Sequence, residues 1–81
     1  MSGEHKRMQL NNLLQRSYGT HALTWATNQT GPQHSTPWTA VAYINGVEYG
    51  RGSGWTQGDA KEQAAGLAYP ALYHQIYNRY P

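Results

Sequence analysis

The sequence predicts a small α+β domain with the element order α-β-β-β-α, in which a three-stranded antiparallel sheet carries two helices on one face. Three observations predict this class. Leucines recur at helical spacing within residues 6–16, an Asn-Gly pair at 45–46 separates two strand-like segments, and a stripe of small apolar residues begins near Thr56. Two helices flanking a run of strands are typical of a compact α+β domain.

The first helix is predicted over residues 6–16. Its leucines lie three and four residues apart, which suits one helical face; they are Leu10, Leu13 and Leu14. Gly19 is expected to end this element. Residues 1–5 are expected to form a flexible N-terminus.

Three strands are predicted between the helices. Residues 21–29 alternate and contain threonine and tryptophan, which favours a strand. Residues 30–37 contain a glycine and two prolines, which predict a loop. Residues 38–44 are the clearest strand, and the Asn-Gly pair after them is the strongest short hairpin signal. Residues 47–53 are therefore expected to return antiparallel to that strand.

The second helix is predicted to begin at Thr56. Thr56 and Asp59 match the capping box in its acidic variant. Pro70 lies inside the helical stripe, where it removes one backbone hydrogen bond and crowds the carbonyl four residues earlier. That earlier residue is Gly66, which bends easily, so we expect a kink rather than a helix end.

Composition limits the classes of function. The chain has 81 residues, so we expect one domain over residues 6–77 and a C-terminal tail at 78–81. The formal net charge is +2. A strong nucleic-acid binder usually has a denser basic surface, so this charge permits an acidic partner without requiring one.

Catalysis, metal binding and membrane insertion are not expected. Cysteine is absent, which excludes a disulfide framework and a thiolate metal site, and the four histidines lack metal-ligand spacing. No apolar run approaches the ~20 residues of a membrane span, and no signal-peptide pattern is visible. No nucleophile with a placed base, acid pair or P-loop is recognisable. We therefore expect an intracellular, non-enzymatic domain without a cofactor.

Four segments together resemble the double-stranded-RNA-binding domain (dsRBD) family. Residues 8–15 are similar to its first helix, which usually contains Leu-Asn-Glu. GPQH at 31–34 is similar to its Gly-Pro-x-His loop, and NGVEYGRGSG at 45–54 to its hairpin and glycine-rich strand. TQGDAKEQAA at 56–65 aligns with Ser-Lys-Lys-x-Ala-Lys-x-x-Ala-Ala. The agreement in order and spacing covers roughly residues 8–72.

The resemblance implies recognition of double-stranded RNA by shape. Such domains contact two successive minor grooves and the intervening phosphates over about 16 base pairs. The implied contacts come from the first helix, the loop after the first strand and the start of the second helix: Met8, Gln9, Asn12, Gly31, Pro32, His34, Thr56, Gln57, Gly58 and Lys61. The alternatives are that Met8 belongs to the core, Asn12 is merely solvated and His34 is structural.

The start of the second helix departs from the family pattern. Two of its three expected lysines are replaced, by Gln57 and Gly58, and only Lys61 matches. Each ionic phosphate contact adds just under one unit to the salt dependence of binding, so two lost contacts predict an affinity lower by roughly one to two orders of magnitude. Three other cations are candidates to offset part of this loss: Lys6, Arg7 and Arg51.

The open face of the sheet suggests a second function. The family alignment points Thr24 and Ala26 inward, which would expose four apolar side chains on that face: Leu23, Trp25, Val41 and Tyr43. An exposed apolar patch marks a partner surface, so the alternative function is a protein-interaction or dimerisation module on the same scaffold. Two readings oppose it: a phase error of one residue that puts Trp25 in the core, or a tyrosine-rich tail that folds back as a lid.

Overall fold

The structure is a computed structural model that describes residues 5–31 and 35–81. Its elements follow the predicted order, with a short 3₁₀ turn before the first strand: α1 His5–Gln15, Thr20–Ala22, β1 Leu23–Asn28, β2 Trp38–Ile44, β3 Val47–Gly54 and α2 Gln57–Tyr77. The α+β class and the α-β-β-β-α order are therefore confirmed.

The sheet has the strand order β1-β2-β3 and is antiparallel throughout. Asn45 and Gly46 join β2 to β3 with φ values of 52° and 81°. Positive φ at both central residues is the requirement of the tight two-residue hairpin turn, which explains why Asn-Gly is favoured there. Beyond the turn, Tyr43 pairs with Glu48 and Ala42 with Gly50, so β3 contains a bulge at the intervening tyrosine.

Both helices pack on one face of the sheet around a core of fully buried aliphatic side chains: Leu10, Leu13, Leu14, Ile44 and Leu72. Where β3 meets the first half of α2, glycines of the strand lie against alanines of the helix. A Cβ atom added to Gly52 would lie 2.5 Å from the backbone nitrogen of Ala64, closer than any real contact. The glycines of β3 therefore let α2 lie directly on the strand.

The second helix is capped at both ends and passes through Pro70 without ending. The Thr56 hydroxyl accepts a hydrogen bond from the backbone N–H of Asp59 at 3.0 Å, which satisfies one of the free donors of the first turn. At the other end, Asn78 has the left-handed conformation, and its N–H donates to the carbonyl of His74. The prediction that Pro70 does not end the helix is confirmed, and the kink stays a prediction.

The predicted orientation of β1 is wrong by one residue. Leu23 and Trp25 are half-buried and pack against the core, whereas Thr24 and Ala26 are exposed. The cause is the register with β2: Trp25 lies opposite Ala42, which is a core residue, and directly opposed residues of an antiparallel pair share a face.

The predicted apolar surface of four residues does not form. Val41 and Tyr43 do alternate with the core residues of β2, but Val41 is only 6% exposed. Its neighbours across the sheet are Ala26 and Arg51, so small and charged side chains surround it. Leu23 and Trp25 contribute to the opposite, helix-covered side.

The tyrosine-rich tail does not form a lid over the open face. Its rings meet at a tilt and at helical spacing along α2, with ring centroids 5.9 Å apart for Tyr69 and Tyr73 and 4.6 Å apart for Tyr73 and Tyr77. Tyr80 stacks on His74 of the same helix at 4.3 Å. Three of these tyrosines therefore belong to α2 itself, and Tyr80 packs on its last turns.

Candidate nucleic-acid interface

The first candidate patch lies on the solvent side of α1. This helix buries its three leucines, which leaves Met8 and Asn12 on the outside and Gln9 half-buried. Met8 is 55% exposed, so the alternative that it belongs to the core is wrong. Because residues four apart on a helix are neighbours, the Met8 thioether and the Asn12 amide lie next to each other on the exposed face of α1.

The second candidate patch is the loop between β1 and β2. Gly31 is exposed and has a φ of 90°. Pro32 and His34, the other two predicted contacts here, lie outside the described residues. The side-chain amide of Gln29 donates to the carbonyl of Thr36 at 2.9 Å, which ties together the two ends of the loop.

The third candidate patch is the start of α2, where the polar side chains already have partners within the domain. The Thr56 hydroxyl caps the helix. The Gln57 amide donates to the Thr27 hydroxyl on β1 at 3.0 Å. Both residues remain exposed, so a ligand can still reach them. Lys61 extends over the ring of Trp25, with its Nζ 5.8 Å from the ring centroid, within the range of a cation–π contact.

Glu62 joins the first turn of α1 to α2. Its carboxylate accepts hydrogen bonds from the backbone N–H groups of Lys6 and Arg7, which are among the donors that a helix start leaves without intrahelical partners. The same carboxylate pairs with the Arg7 guanidinium, with 3.4 Å between Nε and Oε1. The two candidate helical patches are therefore held side by side.

A groove with a volume of about 360 Å³ lies where these patches meet. It is lined by two cations, an amide, a thioether and an indole: Arg7, Lys61, Asn11, Met8 and Trp25. Met8 from α1 and Lys61 from α2 were predicted from separate motifs, and the structure brings them into this one groove. Arg51 lies elsewhere, since it lines a second depression with Gln63 and Leu67.

The Arg51 guanidinium is engaged by a neighbour on its own strand. It pairs with Glu48, with 3.0 Å between Nη2 and Oε1. The hydrogen bond and charge of Glu48 raise the pKa of Arg51 above its ordinary value. Its side chain is more than half exposed, so this pair adds little stability.

Sequence reasoning missed three residues of this region. Asn11 and Trp25 line the groove, and Trp55, the residue before the cap, is 68% exposed. A correct phase for β1 would have placed Trp25 near the helices. An aromatic residue next to an expected phosphate-binding helix start was a visible signal for Trp55.

Residues 5–31 and 35–81 offer neither a metal-binding cluster nor a membrane-spanning helix. Within these ranges, no three histidine or acidic side chains come together in a way that could hold a metal ion. No helix in the same part of the chain is long and apolar enough to cross a membrane.

Comparisons with known proteins identify the family of this chain. The family described as "Double-stranded RNA binding motif" matches residues 7–72. Similar curated proteins include Ribonuclease 3 of Nocardia farcinica, 41% identical over 49 residues, which are 60% of this chain and 20% of that protein. Ribonuclease 3 of Natranaerobius thermophilus is 33% identical over 70 residues, or 86% of this chain and 30% of that protein. The chain thus covers only 20% to 30% of the length of these two relatives.

Proposed function

Since this chain belongs to the double-stranded RNA binding motif family, we propose that it binds double-stranded RNA by shape, through contacts to the minor groove and the phosphate backbone. The proposal concerns binding without catalysis. Any cleavage that the name Ribonuclease 3 describes belongs to those longer relatives, of which this chain matches a minor part.

One observation carries the proposal: a basic groove joins the exposed side of α1 to the first turns of α2. Shape recognition of RNA needs contacts to 2′-hydroxyls and base edges beside contacts to phosphates. Asn12 offers an amide, which both donates and accepts, and Lys61 offers a charge. Their elements are fixed to each other by Glu62, so the spacing between the two kinds of contact is set before RNA arrives.

We further propose that the isolated domain binds weakly. Positions 57 and 58 carry no charge, and the Gln57 amide is already bonded to Thr27. Two fewer ionic contacts lower the affinity by roughly one to two orders of magnitude, toward a dissociation constant of tens of micromolar. An intracellular setting, where duplex RNA occurs, stays our expectation.

Titration with a 20-base-pair RNA duplex at low salt tests the proposal. Amide and side-chain NMR signals of Asn12, His34 and Lys61 are expected to shift, because each residue belongs to a different predicted contact. A DNA duplex of the same sequence serves as the control and should bind more weakly, since it lacks the 2′-hydroxyl. Unchanged spectra at all three residues would refute RNA binding. Equal affinity for both duplexes would mean that charge attraction alone, without shape recognition, accounts for binding.

The alternative function, a protein-interaction or dimerisation module, loses support from the orientation of β1. Half of its predicted surface, Leu23 and Trp25, packs toward the helices. The two remaining members do not form an exposed apolar patch, because Val41 is buried.

A further inference from the structure

We propose that Arg7 supplies, from the first turn of α1, the cation that position 58 of α2 lacks, because its guanidinium lies beside Gly58 where a longer side chain would begin. The phosphate that one of the missing lysines would contact is then bound by the Arg7 guanidinium together with Lys61. This inference rests on the proposed RNA-binding function and names a residue that performs it.

The position of the guanidinium is the first argument. A Cβ atom built on Gly58 would lie 3.6 Å from Nη2 and 3.9 Å from Nη1 of Arg7. The same point is 3.9 Å from the Thr56 hydroxyl oxygen. The Arg7 side chain thus ends against the first turn of α2, in the space that a longer side chain at position 58 would enter.

The way in which Arg7 is held is the second argument. Glu62 faces its Nε atom, at 3.4 Å, whereas the two Nη atoms are the ones beside Gly58. Arginine has five N–H donors in a planar fork, so one guanidinium can serve several partners within the domain and a phosphate at the same time. Its side chain is 26% exposed, which leaves it accessible from the groove.

The charges around the groove are the third argument. Lys61 lines it together with Arg7, so two cations from different helices approach one cavity. Among residues 5–31 and 35–81, two acids belong to this part of α2: Glu62, which contacts Arg7, and Asp59, which lies in the first turn. A phosphate that binds between Arg7 and Lys61 meets donors from both, and Arg7 is oriented for it by Glu62.

The salt dependence of RNA binding tests the inference. Arg7→Gln removes the charge and is expected to lower the slope of log affinity against log salt by about 0.9, with an affinity roughly eightfold lower at 0.1 M salt. Arg7→Lys should keep the slope, because the slope counts charges. The matched control is Arg16→Gln, the same change just beyond the other end of α1, which should leave the slope as in the wild type.

A purely structural role for Arg7 predicts another result. Loss of the Arg7–Glu62 pair would then lower the melting temperature of Arg7→Gln and leave its salt slope unchanged, which would overturn the inference. Equal losses of slope in the Arg7 and Arg16 variants would overturn it as well, since they would indicate an effect of net charge.

Two further measurements distinguish a failure of the Arg7 inference from a failure of the proposed RNA-binding function. In the wild-type protein, the side-chain Nε–H signal of Arg7 should shift when duplex RNA is added, while that of Arg16 should not; this needs no variant to fold. Lys61→Gln tests the proposed function independently. If Lys61→Gln lowers the slope and Arg7→Gln does not, RNA binding stands and the role of Arg7 fails; if the wild type does not bind at all, both fail.

Discussion

Replacing Gly66 by alanine is expected to stabilise the domain. Gly66 lies in the interior of α2, is not among the residues with positive φ, and a methyl group there would meet only Cγ of Lys6, at 3.9 Å. Glycine in a helix interior costs about 1 kcal/mol relative to alanine. With an unfolding entropy of about 2.1 cal/mol/K per residue, this gain should raise the melting temperature of an 81-residue chain by about 6 °C.

The same substitution at Gly52 should have the opposite effect. A methyl group there would lie 2.5 Å from the backbone nitrogen of Ala64 and 2.6 Å from Cβ of Gln63. Neither atom can move unless α2 moves away from β3, and overpacking of this kind costs roughly 1–3 kcal/mol. The melting temperature should therefore fall by about 6–18 °C.

Thermal unfolding followed by far-ultraviolet circular dichroism measures both changes on one scale. A lower melting temperature for Gly66→Ala would refute the reasoning about α2. It would mean that Pro70 requires a backbone conformation at Gly66 that alanine cannot adopt. A neutral Gly52→Ala would refute the direct packing of α2 on the glycines of β3.

Two further predictions concern the function. Gln57→Lys combined with Gly58→Lys should tighten RNA binding and steepen its salt dependence. Most of the gain should come from position 57, because a lysine at 58 would emerge beside the Arg7 guanidinium. A double variant with the wild-type slope would mean that this helix end does not contact phosphate. In sedimentation experiments at rising concentration we expect a monomer, because Leu23 and Trp25 face the helices; a concentration-dependent dimer would revive the interaction-module function.

The order of the elements could be predicted because its signals are local. The leucine spacing of α1, the Asn-Gly turn and the Thr56 cap each depend on neighbours within a few residues, and all three are found in the structure. The hairpin in particular follows from the turn alone, since two positive φ angles are easiest for that residue pair.

The orientation of β1 could not be fixed in this way. An alternating strand has two possible phases, and a shift of one residue exchanges its faces. The segment LTWATN offers apolar side chains in both phases, namely Leu23 and Trp25 in one and Ala26 in the other. The choice is made by the pairing of Trp25 with Ala42, a contact between distant residues that no local pattern encodes.

The electrostatics of the candidate site show the same division between local and distant information. Alignment with the family motif counts the lysines of α2 along the sequence and finds two missing, whereas a phosphate responds to the charges that are near it in space. If Arg7 occupies the place beside Gly58, the deficit is one ionic contact instead of two. At about 0.9 units of salt slope per contact, the expected loss of affinity at 0.1 M salt then shrinks from roughly sixtyfold to roughly eightfold. The measured slope of the wild-type protein therefore discriminates between counting lysines in the motif and counting cations in the groove.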